Sequence, residues 1–147
     1  MKTHQPIAAF CARNREIGYV LILDGRIIHY GVKTIKGKRS GKEFFKRVAQ
    51  ALMAVLERLT PRCLVVVEDV AHLAKPGAVN RTIRKLGAEW HTRRRYQVTV
   101  LSLRKVKEHV CGDHSVTHRR LAETIVARYP TLGGLRRDFS IYRPLYW

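Results

Sequence analysis

Two acids at the end of an apolar run are the first residues of this chain whose arrangement suggests chemistry. Glu68 and Asp69 close the stretch Arg62 to Asp69, RCLVVVED, the longest unbroken β-branched run in the sequence. Apolar residues at consecutive positions from Leu64 to Val67 cannot all face one side of a half-wet sheet, so the run reads as a central strand covered on both faces. In open α/β sheets, ligands and reactions collect beyond the carboxyl ends of the strands, which makes Glu68 the first candidate functional residue. Successive strand side chains point to opposite faces, so Asp69 joins Glu68 at one site only where the strand ends or bulges. The plainer reading, that the pair caps the turn into the next segment, stays open. A second collection, His109, Cys111, Asp113, His114 and His118, has donor types that a zinc ion uses, yet it fits no familiar tetrahedral spacing. Helix caps and contact with phosphate or solvent account for His114 and His118 equally well.

Charge points to the partner. Twenty-nine Lys and Arg against 11 Asp and Glu leave +18, far beyond what solubility requires, and a surplus of that size attracts polyphosphate in a salt-sensitive way. The cations recur in separate places: Lys36, Lys38, Arg39 and Lys42; Arg81, Arg84 and Lys85; Arg93, Arg94 and Arg95; Arg104, Lys105 and Lys107. Each run by itself is an ordinary solvated face. Their repetition with few neighbouring acids is economically explained by contact with nucleic-acid phosphates. No stretch approaches the ~20 apolar residues of a membrane span, and MKTHQPIAAF lacks a signal-peptide core, so a cytoplasmic protein with no membrane partner is expected. Cys11, Cys63 and Cys111 are odd in number and contain no CxxC pair, so a disulfide framework is not expected.

The elements that must position these residues can be read from periodicity. Residues 6–12, 16–23 and 26–33 are short apolar segments, and Asp24-Gly25 between the last two is a two-residue hairpin signal. Ser40 is placed to cap a helix in which Phe44, Val48, Leu52, Val55 and Leu59 form one stripe, ended by Pro61. After the Glu68 strand, a breaker-containing loop leads into a helix from Val79 to Arg94, with Val79, Ile83, Leu86 and Trp90 inward. A strand over 96–103 and a short helix ended by Gly112 follow. Ser115 then starts a further helix that Pro130 closes, and residues 131–147 are turn-rich. With 147 residues, 46% of them hydrophobic, the chain fits a single domain over residues 1–147. The expected architecture is an α/β fold whose mixed sheet has helices on both faces.

In order and in local sequence, the chain resembles the RuvC-type Holliday junction resolvases of the ribonuclease H-like superfamily. The matching pieces are RNREIGYVLI, VVVEDV, LAKPGAVNRTIRKLG and LRKVKEHVCGDHSVTHRRLAETIV. The resemblance implies a ribonuclease H-like five-stranded sheet, three antiparallel strands and then parallel ones. It also implies a homodimeric endonuclease that cuts branched DNA with magnesium or manganese held by clustered carboxylates. Glu68 matches the metal-binding Glu of the central strand. The first-strand Asp position, seven residues before Gly18-Tyr19, is held here by Cys11, a soft and mostly protonated ligand unsuited to magnesium. The helix with the remaining acids would begin about where this sequence stops, where Asp138 offers a carboxylate. Catalysis is therefore expected to be impaired. Two binding roles stand beside the nuclease: a non-catalytic domain for branched DNA or structured RNA, and a structural component of a ribonucleoprotein or recombination complex.

Overall fold

Asp24 and Gly25 set the first hairpin. Both have positive φ, 51° and 75°, the handedness that lets a two-residue turn match the twist of its flanking strands. The computed structural model describes residues 5–13, 15–38, 41–58, 63–69, 77–92 and 96–135. The strands are β1 (Ile7–Arg13), β2 (Glu16–Leu23), β3 (Arg26–Thr34), β4 (Leu64–Glu68) and β5 (Gln97–Leu101). The helices are α1 (Gly41–Leu56), α2 (Ala78–Thr92), α3 (Leu103–Cys111) and α4 (His118–Arg128), followed by a 3-10 turn over Pro130–Leu135. The sheet order is β3-β2-β1-β4-β5, with antiparallel pairing among the first three strands and parallel pairing of β4 with both β1 and β5. This is the mixed five-stranded, ribonuclease H-like α/β sheet.

The middle of the sheet is β1, not β4, which corrects the expected position of the RCLVVVED strand. A consecutive apolar run argues for cover on both faces and does not fix a strand's place in the order; β4 pairs with β1 and β5, and the opening meander adds two strands beyond β1 and shifts the centre by one place. Cover is also uneven. Val65 and Val67 are buried, whereas Leu64, Val66 and Glu68 on the other face are half-buried, so the run alternates despite its uniform composition.

The buried face explains the helices. Ala8, Phe10 and Ala12 of β1 and Val65 and Val67 of β4 share one core with Phe44, Val48, Leu52, Val55 and Leu56 of α1. Val79, Ile83, Leu86 and Trp90 of α2 complete it. The apolar stripes at three- and four-residue spacing are therefore the inner faces of two helices packed on the same side of the sheet. Leu56 belongs to this core although it lies outside the simple stripe, while Leu59 and the expected Ser40 cap lie outside the described residues.

The chain divides into two compact units, one ending at Leu101 and the other starting at Ser102. In the second unit, Ser102 caps α3 by accepting from the Lys105 N–H, and Gly112 ends it at φ 73°. The next cap is Thr117, which accepts from the Arg120 N–H, rather than Ser115. The Asp113 carboxylate takes both the backbone N–H and the hydroxyl of Ser115, at 2.9 and 2.7 Å. That local turn occupies Ser115 and leaves Thr117, with extended backbone, to start the helix. Pro130 opens the 3-10 turn instead of merely ending α4.

Leu52 is almost wholly buried between sheet and helices, whereas Val32 on edge strand β3 is 54% exposed. Leu52→Ala is expected to cost about 2–5 kcal/mol in urea denaturation. Val32→Ala should cost within about 1 kcal/mol.

Candidate functional site

Parallel pairing of β1 with β4 builds the site. The register matches Ala8 with Val65 and Phe10 with Val67, all on the helix-covered face. One step further along both strands the side chains turn to the opposite face, and Cys11 meets Glu68 there. The Cys11 thiol donates a hydrogen bond to Glu68 Oε2 at 3.2 Å. Sequence reasoning assigned these positions to one site, and the structure brings them into contact.

The electrostatics of the pair are one-sided. Burial by the surrounding protein, then the Glu68 charge, then the hydrogen bond to Glu68 push the thiol from its ordinary value of 9.0 up to about 12, with Arg13 opposing. Cys11 keeps an exposed edge, so water screens part of this effect. At neutral pH the site is thus a neutral thiol donating to Glu68. The folded protein holds the thiol proton to higher pH than the unfolded chain. The resulting stabilisation is complete below about pH 9 and is lost as pH rises toward 12.

Magnesium requires hard oxygen donors, and these residues do not supply a set. Cys11 offers a protonated sulfur, and Asp69 does not complete the group. The Asp69 N–H donates to the Leu101 carbonyl, extending the β4–β5 ladder past Glu68. Among the described residues, no three His, Cys, Asp or Glu side chains stand together as a metal site. His109, Cys111, Asp113, His114 and His118 are among these described residues and form no such group. Glu108 instead gathers Arg104 and His114 at 3.4 Å each. Asp138 lies outside the described residues.

The cations fall into three settings. Lys36 and Lys38 are exposed on the loop between β3 and α1, and Lys42 lies in the first turn of α1. Arg81, Arg84 and Lys85 are exposed on α2; Arg104 and Lys105 are exposed on α3, where Lys107 is half-buried. Arg39, Arg93, Arg94 and Arg95 lie outside the described residues.

Supporting contacts were not visible in the sequence. The Arg15 guanidinium donates to the Gly37 carbonyl, and Arg47 donates to the Lys36 carbonyl at 2.9 Å, so two cations from distant positions hold the cationic loop. Gly37 has φ 97°, and a Cβ there would lie 1.8 Å from Arg47 Nη1. Asn80 Nδ2 donates to the Ala12 carbonyl at 3.2 Å, tying the start of α2 to the end of β1. No local pattern announces such pairings; for the loop, the only available signal was its glycines.

Removing the Glu68 charge should lower the Cys11 pKa and enlarge its thiolate fraction. In Glu68→Gln, alkylation of Cys11 at pH 8.5, followed by peptide mass spectrometry, is expected to be about tenfold faster or more, since one pKa unit is tenfold in thiolate. An unchanged rate would mean that Glu68 does not control this thiol.

No protein-family model and no curated protein sequence matches the chain. Among solved structures it is similar to Thermus thermophilus RuvC, with TM-score 0.63 and 17% identity over 84% of this chain and 78% of that one. It is likewise similar to T. thermophilus RuvC in complex with Holliday junction substrate, with TM-score 0.63 and 18% identity over 84% and 79% of the two chains. With its meander, its parallel β1–β4 pair and its strand order, the chain has the RuvC-like form of the ribonuclease H-like α/β fold.

Proposed function

We propose that this protein binds nucleic acid on a RuvC-like scaffold and that phosphodiester hydrolysis is impaired in it. The carrying observation is the Cys11–Glu68 hydrogen bond. A neutral thiol occupies the place where the resemblance calls for a second carboxylate, and it takes up a lone pair of the carboxylate that is present. A hard divalent ion would have to displace that proton or bind beside it using Glu68 alone. Of the 11 acids in the sequence, Asp138 alone lies outside the described residues.

The proposed ligand is branched DNA. The solved T. thermophilus RuvC carrying Holliday junction substrate supports this class, and +18 supplies the attraction. Structured RNA is the second reading, favoured by cations that recur in separate stretches of the chain, on the β3–α1 loop, α2 and α3. A homodimer, which would present two copies of the site, belongs to the same proposal, as does a cytoplasmic location. Among the described residues, no helix is long and apolar enough to cross a membrane.

The test incubates the protein with labelled four-way junction, duplex and structured RNA, with magnesium or manganese, beside Glu68→Gln. Binding without cleavage is expected, equal in the two proteins and weakened steeply by salt, with the junction preferred. Metal-dependent cleavage that Glu68→Gln abolishes would overturn the impaired-catalysis reading. Preference for RNA would move the protein to a ribonucleoprotein role.

A further inference from the structure

The first turns of α1 and α2 lie side by side and leave an open groove of about 510 Å³, lined by Gly41, Lys42, Phe44, Phe45, Ala78, Arg81, Thr82 and Lys85. Three of these residues are cations and none is an acid. The polar floor is already satisfied, because the buried Thr82 hydroxyl donates to the Ala78 carbonyl at 2.8 Å. What the groove offers an incoming group is therefore positive charge above an apolar wall. Lys85 is held over the Phe45 ring, its ammonium 5.1 Å from the centroid, which restrains a flexible side chain at the rim. A lysine restrained in this way loses less entropy when an anion arrives.

Topology fixes where the groove lies. β1, β3 and β4 run in the same direction, and α1 and α2 follow the carboxyl ends of β3 and β4. The groove thus opens at the same end of the sheet as Cys11 and Glu68, but on the helix-covered side, whereas the thiol–carboxylate pair opens on the other.

We propose that this groove docks a nucleic-acid strand through its phosphates, making Lys42, Arg81 and Lys85 a contact separate from the Glu68 face. The inference rests on the nucleic-acid reading above and adds where one strand is held. Charge complementarity selects the occupant: three cations without a lining carboxylate suit a polyanion, and the aromatic ring under Lys85 is covered rather than free to stack on a base. The contact is to backbone and carries no sequence preference. A strand seated here and a second strand passing Glu68 would lie on opposite faces at the same end of the sheet.

The test is the salt dependence of four-way-junction binding by the full chain, followed by fluorescence anisotropy. Three lost phosphate contacts reduce the slope of log affinity against log salt by about 2.7, so from 50 to 200 mM salt the natural protein should lose about forty times more affinity than a Lys42→Gln, Arg81→Gln, Lys85→Gln variant. A Lys42→Arg, Lys85→Arg variant should keep the original slope. So should Arg26→Gln, Arg58→Gln, which removes exposed cations from the far end of the sheet; equal melting temperatures would establish that all are folded. An unchanged slope in the triple variant, or an equal fall in the Arg26, Arg58 variant, would overturn the groove assignment while junction binding itself stands. Absence of junction binding by the natural protein would overturn the nucleic-acid reading and the groove with it.

Discussion

The register between β1 and β4 is the constraint from which the core of the first unit and its site follow. Phe10 opposite Val67 and Ala8 opposite Val65 commit alternate residues of both strands to the core beneath α1 and α2. A slip of one residue in either strand would drive Cys11 or Glu68 into that core and lift a phenylalanine or valine out of it. Hydrophobic burial, not any attraction between thiol and carboxylate, therefore brings the two polar groups together. Their hydrogen bond is a consequence of packing, and its chemistry has to be read in that light. The sheet delivers two side chains to one point, and the chain has placed there one group able to hold a hard cation and one that is not.

How far the sequence disclosed this arrangement depended on how local each determinant is. The Asp24-Gly25 turn is encoded by two adjacent residues that tolerate positive φ, and the stripes of α1 and α2 by repeats within a few turns, so these features could be read directly. The valine run does not fix the place of β4, because consecutive apolar residues argue for cover on both faces and say nothing of how many strands lie to either side. Ser115 and Thr117 are both good capping residues, and the choice between them rests on Asp113, whose carboxylate bonds twice to Ser115. Glu68 and Cys11 were legible as a pair only through the resemblance. Charge and periodicity give no reason to match a first-strand cysteine with an acid 57 positions away. The loop clamps from Arg15 and Arg47 had no signal of their own, because an arginine destined for a backbone carbonyl looks the same as one destined for solvent.

A thiol beside Glu68, at the position where the resemblance would put a carboxylate, also bears on what a phosphodiester would meet at this end of the sheet. Two adjacent carboxylates present two negative charges to a polyanion, and a cation must neutralise them before the strand can approach closely. With Cys11 protonated, the pair carries only the charge of Glu68, and half-burial leaves part of that charge open to screening by water. The cations of the β3–α1 loop and the first turns of α2 stand at the same end, and they outnumber it. On the proposed reading, nucleic acid can therefore approach the Glu68 face without a divalent ion to neutralise it, and the substitution that removes a metal ligand also removes the repulsion that a metal would have been needed to offset. On that proposal, impaired hydrolysis and retained binding would share one cause, the proton that burial and the neighbouring carboxylate hold on Cys11.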